Sequence, residues 1–157
     1  MTDKLRPVSI VFLRKDNSIL LAMKKRGFGK GLWNGAGGKP EVGEDILTTA
    51  KRECFEEIGV KPGRLQKVAV INFYSQSKPG DSQRAYVYFC EDWAGDPFET
   101  EEMRPKWFGL NDIPYESMWS DDKYWLPLVI AGKRIEADFY FDSNNQVLKH
   151  TIKDLVN

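Results

Sequence analysis

Hydrophobic residues along most of this chain occur in short runs separated by polar turns, a pattern typical of β-strands. The runs predict strands over residues 8–13, 18–23, 65–74, 84–91, 104–110, 135–141 and 146–152. The polar residues at 14–17 and 142–145 are predicted to join the first two and the last two of these strands as hairpins. Along 84–91, hydrophobic residues occupy both alternating sets of positions, which indicates a sheet covered on both faces.

One stretch instead repeats its hydrophobic residues at the helical spacing. With successive residues roughly 100° apart, the apolar side chains between positions 46 and 58 fall within one arc of about 120°. This arc, predicted to be buried, consists of Ile46, Leu47, Ala50, Cys54 and Ile58. Asp45 is a residue type that caps helix N-termini, and Gly59 can end a helix in the left-handed conformation. We therefore predict a short amphipathic helix over 46–58.

A second helix is predicted to begin after a cap at Asp121 or Ser120 and to run through 125–131, with Pro127 kinking it or ending its first turn. Strands and helices together predict a mixed sheet with helices packed against its faces, an α/β sandwich. The length of 157 residues is that of one domain, so a single domain over 1–157 is expected.

Charge and cysteine content narrow the possible partners. The 23 Lys and Arg balance the 23 Asp and Glu, so neither a nucleic acid polymer nor an anionic membrane is indicated. No apolar run approaches about 18 residues, and the first residues lack the apolar core of a secretory signal. Cys54 and Cys90 are expected to be buried free thiols in a reducing compartment, which makes the cytoplasm the expected location.

Three carboxylates share one face of the first helix. Glu53, Glu56 and Glu57 are spaced i, i+3 and i+4, and their face adjoins the apolar arc. Such carboxylates repel one another and are partly desolvated, which costs stability unless a cation neutralises them. Hard oxygen ligands suit Mg²⁺, with Mn²⁺ as the second choice. The helix alone leaves a second interpretation open, an ordinary solvated acidic face.

A basic, glycine-rich stretch over 23–31 precedes this helix, and its composition also has two interpretations. It can be a flexible solvated loop. It can equally be a phosphate-facing loop, because backbone amides in a glycine-rich segment together with Lys or Arg form an anion site.

The string from Gly38 to Val60 fits, without a gap, the Nudix signature G-x5-E-x7-R-E-U-x-E-E-x-G-U, in which U is an aliphatic-type residue. Its fixed places are occupied by Gly38, Glu44, Arg52, Glu53, Cys54, Glu56, Glu57, Gly59 and Val60. Only Cys54 is unusual at its place. The chain therefore resembles the Nudix hydrolases. This resemblance implies a Nudix-type α/β/α sandwich and a metal-dependent enzyme that cleaves a nucleoside diphosphate linked to another group.

Residues 23–39, 102–108, 118–125 and the closing hairpin resemble one Nudix branch, the mammalian-type MutT homologues. That resemblance implies a monomeric enzyme whose partner is a small-molecule nucleotide. It would hydrolyse modified purine nucleoside triphosphates such as 8-oxo-dGTP and 2-hydroxy-dATP to the monophosphate and pyrophosphate. The sequence departs from the branch at Ala36 and Ser75, where Phe is usual, and at Ser120, where Pro is usual.

The same resemblance implies roles for individual residues. The purine edges would be bound by Asn34, Asp121 and Asp122. The base pocket would be walled by Phe28, Phe73, Met103 and Trp119, with Ser9 and Lys24 nearer the sugar and the polar rim. The metal would be held by Glu53, Glu56 and Glu57, by the carbonyl of Gly37 and by the outlying Glu102. Arg52 would orient the glutamates, with Glu44 in support.

The residue types agree with these roles but leave alternatives. Trp119 and Phe28 are large flat apolar side chains, and Asn34 has both a donor and an acceptor for a base edge. Asp121 and Asp122 are also typical of a helix N-terminus; in a closed apolar pocket, one of the two would keep a proton. Glu57 is our first choice for activating water and Glu53 the second.

Three other functions stay open at this point. A Nudix hydrolase of ADP-ribose, of a dinucleoside polyphosphate or of capped RNA would keep the acidic helix but need another pocket. A catalytically silent domain that binds nucleotides would not need all three helix glutamates. A structural or protein-interaction domain would use neither the acid cluster nor the tryptophan–aspartate run.

Overall fold

The computed structural model describes residues 5–156. Within this range the chain forms two α-helices, α1 (Ile46–Ile58) and α2 (Asp122–Ile130). Its strands are β1 (Arg6–Lys15), β2 (Ser18–Lys24), β3 (Trp33–Asn34), β4 (Lys61–Pro62), β5 (Gln66–Ser75), β6 (Gln83–Cys90), β7 (Trp93–Ala94), β8 (Met103–Gly109), β9 (Ile135–Phe141) and β10 (Val147–Asp154). The predicted strands are confirmed with small changes at their ends, whereas the two-residue strands β3, β4 and β7 had no hydrophobic run to predict them. No helix in the described range is both long and apolar enough to cross a membrane.

The large sheet is mixed, as predicted. Its strands lie in the order β10-β9-β5-β6-β1-β2-β3, and β8 also pairs with β2, along residues 18–24. β1 runs parallel to β6 and β5 runs parallel to β9, while the remaining neighbours in the sheet are antiparallel. β4 and β7 form a separate two-stranded sheet.

Both faces of the sheet are buried, and β6 shows how one strand serves both. Val87 lies in a cluster with Trp125 of α2, and Tyr88 lies in a second cluster with Cys54 of α1. The continuous hydrophobic character of β6 follows from this position, because each of its alternating side chains meets a core. With α1 on one face and α2 on the other, the α/β/α sandwich is confirmed.

Residues 33–36, in the connection between β2 and α1, lie between β1 and β2. β1 pairs with β2 only beside the turn, at Arg14–Ile19 and Lys15–Ser18. Farther along, β3 pairs with β2, and Ala36 exchanges backbone hydrogen bonds of 2.6 and 3.0 Å with Val11 of β1. A glycine is required at position 37, because a Cβ there would collide with the Ser9 backbone.

The predicted limits of α1 and both of its caps are confirmed. Asp45 accepts a 2.8 Å hydrogen bond from the Thr48 amide, and Gly59 ends the helix at φ +76°. The prediction that Leu47 is buried is wrong, since its side chain is 49% exposed. Thr49 is buried instead, because the buried surface of the helix extends past the Ile46 edge of the predicted arc, on the side away from Leu47.

The predicted second helix is confirmed, with Asp121 at its N-cap position, but the expected side-chain cap is not formed. The helix begins at Asp122 and continues past Pro127 to Ile130. Neither proposed side chain caps it. Asp121 instead accepts a 2.8 Å hydrogen bond from the Trp125 indole, and the Ser120 hydroxyl donates to the Asn145 carbonyl at 3.1 Å. The Asp121 contact lies within α2 and the Ser120 contact reaches the closing hairpin, and each competes with a side-chain cap.

Replacing Gly59 with Ala is expected to destabilise the protein by about 1–2 kcal/mol, because a Cβ at this left-handed position is strained and would collide with the Phe98 ring. Urea unfolding measures the loss. Gly43→Ala is the matched control, since Gly43 has φ +79° with nothing within 4 Å of the added Cβ, so it should show the conformational strain alone. Equal losses in the two variants would contradict the contribution of Phe98.

Candidate active site

Arg52 joins the acidic face of α1 to the loops before it. Its guanidinium donates to the carboxylates of Glu44 (2.8 Å), Glu53 (3.0 Å) and Glu56 (3.2 Å) and to the carbonyl of Lys39 (3.1 Å). The hydrogen bond from Arg52, followed by one from the Thr49 hydroxyl, lowers the pKa of Glu44 to about 2. The side chain therefore orients the acidic face through charge-assisted hydrogen bonds.

Glu57 is oriented differently from its neighbours. It points toward the glycine segment, and its Oε1 accepts a 2.7 Å hydrogen bond from the Gly37 amide. Burial raises its pKa to about 7, in spite of that hydrogen bond. Burial also raises the pKa of Glu53, whose carboxylate lies where a Cβ on Gly38 would be. Two carboxyl groups with raised proton affinity thus face the glycine segment.

The donor chemistry of this site fits a hard divalent cation. Glu44, Glu53 and Glu56 surround the guanidinium of Arg52, and Glu57 adds a further carboxylate near Glu53, so negative charge is in excess. No three acidic, His or Cys side chains in the described range form a ready-made metal cage. The ion pair with Arg52 directs the Glu56 carboxylate toward the guanidinium, so Glu56 does not complete a cage with its neighbours.

The outlying candidate ligand Glu102 is also held by a cation. It forms an ion pair with Arg26, and Lys25 of the same loop forms a 2.6 Å ion pair with Glu99. The first two cations of the basic loop, residues 25–31, are therefore paired with the acidic segment before β8. The phosphate-facing interpretation of these two side chains is not supported by their contacts.

At the other end of the candidate site lies a buried pair of aspartates. Asp121 and Asp122 are 2% and 3% exposed, and Asp122 Oδ2 has no hydrogen-bond partner in the described range. Burial raises the pKa of both carboxyl groups. The pKa of Asp122 rises well above its usual value, because the neighbouring Asp121 charge adds to burial. A protonated Asp122 beside an ionised Asp121 presents one donor and one acceptor.

An aromatic wall stands next to the aspartates. Phe28 and Trp119 have ring centroids 4.9 Å apart, and Phe28 is 73% exposed, so its ring is accessible to a ligand. A parallel β-bridge between Trp33 and Met118 joins the segment that continues with Asn34 to the segment that continues with Trp119. The bridge puts Asn34 and Trp119 at adjoining positions.

The other predicted residues of the base pocket lie farther into the fold. Asn34 is half-buried, and its Oδ1 accepts a 2.8 Å hydrogen bond from the Gly35 amide. The buried Ser9 hydroxyl accepts from the Gly38 amide at 3.3 Å, so it supports the glycine segment. Phe73 packs against the α2-side core and Met103 lies in the α1-side core. Phe28 and Trp119 are in direct ring contact, whereas the Phe73 ring packs against Phe139 and Phe141.

Lys24 lies near the acidic helix, and its positive charge lowers the pKa of Glu57, against the larger effect of burial. Sequence reasoning missed Arg26 and Thr100, whose contacts join the basic loop, the acidic segment and α1. The opposite charges of residues 24–26 and 99–102 were a usable signal for the ion pairs. No sequence pattern indicates the partner of a threonine hydroxyl.

The chain is similar to known proteins over most of its length. A family model described as NUDIX domain matches residues 3–129. The "oxidized purine nucleoside triphosphate hydrolase" of Mus musculus is 39% identical over 150 residues, which is 96% of each chain. The Danio rerio protein of the same name is 36% identical over 154 residues, covering 98% of this chain and 97% of that one.

Solved structures show the same fold. The mutator MutT protein from Bacillus halodurans superposes with a TM-score of 0.80 at 20% identity, covering 95% of this chain and 98% of its own. A MutT NUDIX hydrolase from Burkholderia pseudomallei is 28% identical with a TM-score of 0.64, covering 71% and 88%.

Proposed function

Because the chain belongs to the NUDIX family, we propose that it hydrolyses oxidised purine nucleoside triphosphates, such as 8-oxo-dGTP and 2-hydroxy-dATP, to the monophosphate and pyrophosphate. In a cell this reaction would remove damaged precursors from the nucleotide pool. The observation that carries the proposal is the buried Asp121–Asp122 pair next to the Phe28–Trp119 wall. The near full-length similarity to the mouse and zebrafish hydrolases supports it.

Recognition of the base depends on the aspartates and Asn34. A purine stacked on Trp119 would direct its polar edge toward Asp122 Oδ2, which lacks a partner in the described range. Leaving that buried oxygen unpaired costs free energy, so a ligand that hydrogen-bonds it is favoured over one that does not. Asn34 would add a donor and an acceptor at a second edge.

The phosphate end depends on the glutamates of α1. Mg²⁺, or Mn²⁺, would be held by Glu53, Glu56 and Glu57, the Gly37 carbonyl and Glu102, and when bound it would neutralise phosphate charge and acidify water. Glu57, whose pKa is raised by burial, would take a proton from the attacking water at its carboxylate. Arg52 would hold Glu53 and Glu56 in place.

We also propose that the protein acts as a monomer in the cytoplasm. The support for a reducing location is chemical, since Cys54 and Cys90 are both free and buried. Light scattering after gel filtration tests the oligomeric state.

A substrate panel tests the proposed function. With Mg²⁺ present, kcat/KM for 8-oxo-dGTP and 2-hydroxy-dATP is expected to exceed that for dGTP and dATP by at least about tenfold, in line with the similarity to hydrolases named for oxidised purines. The measurement is pyrophosphate release together with identification of the nucleoside monophosphate. Preferred hydrolysis of ADP-ribose, included in the same panel, would contradict the proposal.

A further inference from the structure

The hydroxyl of Thr100 connects the last turn of α1 to the acidic segment before β8. It donates a 2.7 Å hydrogen bond to the Glu57 carbonyl and accepts from the amides of Glu102 at 3.2 Å and Met103 at 3.3 Å. The Phe98 amide donates to the neighbouring Ile58 carbonyl at 3.1 Å. Residues 98–103, the connector segment, therefore satisfy carbonyls at the end of α1 that have no partner within the helix.

The connector segment also holds the basic loop. The Lys25 ammonium donates to the Thr100 carbonyl at 2.9 Å as well as to Glu99, and the Lys25 amide donates to the Glu102 carbonyl at 2.9 Å. Three residues after Lys25, the same loop places Phe28 against Trp119. A continuous set of hydrogen bonds thus runs from Glu57, through Thr100, to the loop that forms the aromatic wall.

We propose that Thr100 is a positioning residue that sets Glu57 and Glu102 relative to each other and couples them to the base-side loop. The inference rests on the proposed function, in which those two carboxylates hold the metal. It follows from geometry, because the hydroxyl contacts the backbone of both residues. The exposed ion pairs of Lys25 and Arg26 alone would hold the loop weakly.

Thr100→Val removes the hydroxyl and keeps the shape of the side chain. Two measurements follow its effect: Mn²⁺ affinity by electron paramagnetic resonance without nucleotide, and kcat and KM for 8-oxo-dGTP. We expect Mn²⁺ affinity and kcat each to fall by about tenfold, with a smaller rise in KM. Thr100→Ser, which keeps the hydroxyl, should stay within about twofold of the wild type for both.

Thr151→Val is the matched control, because its hydroxyl contacts Asp138 at 3.4 Å on a distant strand, and it should alter neither quantity. A folded Thr100→Val protein with wild-type Mn²⁺ affinity and kcat, and only a lower Tm, would overturn the proposal. Mn²⁺ binding needs no nucleotide, so it tests Thr100 even where the substrate panel rejects oxidised purines.

Lys25→Met tests the coupling from an exposed side chain, and so remains informative where Thr100→Val does not fold. Loss of the contact to the Thr100 carbonyl is expected to raise KM for 8-oxo-dGTP about threefold and to leave Mn²⁺ affinity unchanged. An unchanged KM would overturn the coupling to the base-side loop.

Discussion

Replacing Glu57 with Gln is expected to lower kcat by about 10³-fold while making the metal-free protein more stable at pH 8. The kinetic loss follows because Gln cannot accept the proton of the attacking water. KM should change far less, since the base pocket lies at the other end of the site. Steady-state kinetics with 8-oxo-dGTP measures both quantities.

The expected gain in stability of the metal-free Glu57→Gln protein follows from the raised pKa of Glu57. The folded-state pKa of Glu57, about 7, lies above its ordinary value of 4.5 because burial favours the neutral carboxyl group. The contribution of Glu57 to the free energy of unfolding is therefore complete below pH 4.5. It is lost as the pH rises through 7, by up to about 3 kcal/mol. Gln stays neutral and can still accept from the Gly37 amide. Urea unfolding in EDTA should show a large gain at pH 8 and a small one at pH 5.

Glu56→Gln is the control for stability, because Glu56 is 53% exposed on the same helix and its substitution should not produce the large gain at pH 8. An active Glu57→Gln enzyme would refute the assignment and leave Glu53, the second buried carboxylate of this face, as the group that activates water.

Local patterns were sufficient to predict α1. Its limits, its Asp45 cap and its left-handed Gly59 all depend on residues within one helix, and each is confirmed. The error at Leu47 has a tertiary cause, because the position of the sheet decides which edge of an apolar arc is covered. Likewise, the placement of residues 33–36 between β1 and β2 depends on pairing across the sheet.

The spacing of the signature predicted which carboxylates share a face but not which cations they meet. Arg52 is within the signature, and its contact with Glu56 follows from the i,i+4 spacing of a helix, whereas its contact with the adjacent Glu53 does not. Arg26 and Glu102 are separated by 76 positions, so their ion pair depends on the folded arrangement of β2 and β8. The hydrogen bond from the Trp125 indole to Asp121 is an i,i+4 contact, but helical spacing does not indicate that it forms in place of a side-chain cap.

Asparagine substitutions at Asp121 and Asp122 are expected to separate the substrates that the wild type hydrolyses together. Under the proposed function, one proton shared by the pair would let either carboxyl group donate or accept. The pocket can therefore match bases with opposite hydrogen-bond patterns, such as 8-oxoguanine and 2-hydroxyadenine. An Asn fixes one hydrogen-bond pattern, because its amide has a donor and an acceptor that do not exchange a proton. We expect each variant to lose about 10²-fold in kcat/KM for one substrate and much less for the other.

The pH dependence gives a second measure of the shared proton. Burial raises the pKa of both carboxyl groups, so wild-type stability falls as the pH rises above the ordinary Asp range and through the folded-state pKa values. Asp122→Asn should reduce this fall and flatten the pH profile of kcat/KM. Asp96→Asn, at an exposed loop position, should change neither profile. If both pair variants lower kcat/KM equally for the two substrates at every pH, the pair recognises bases without exchanging a proton.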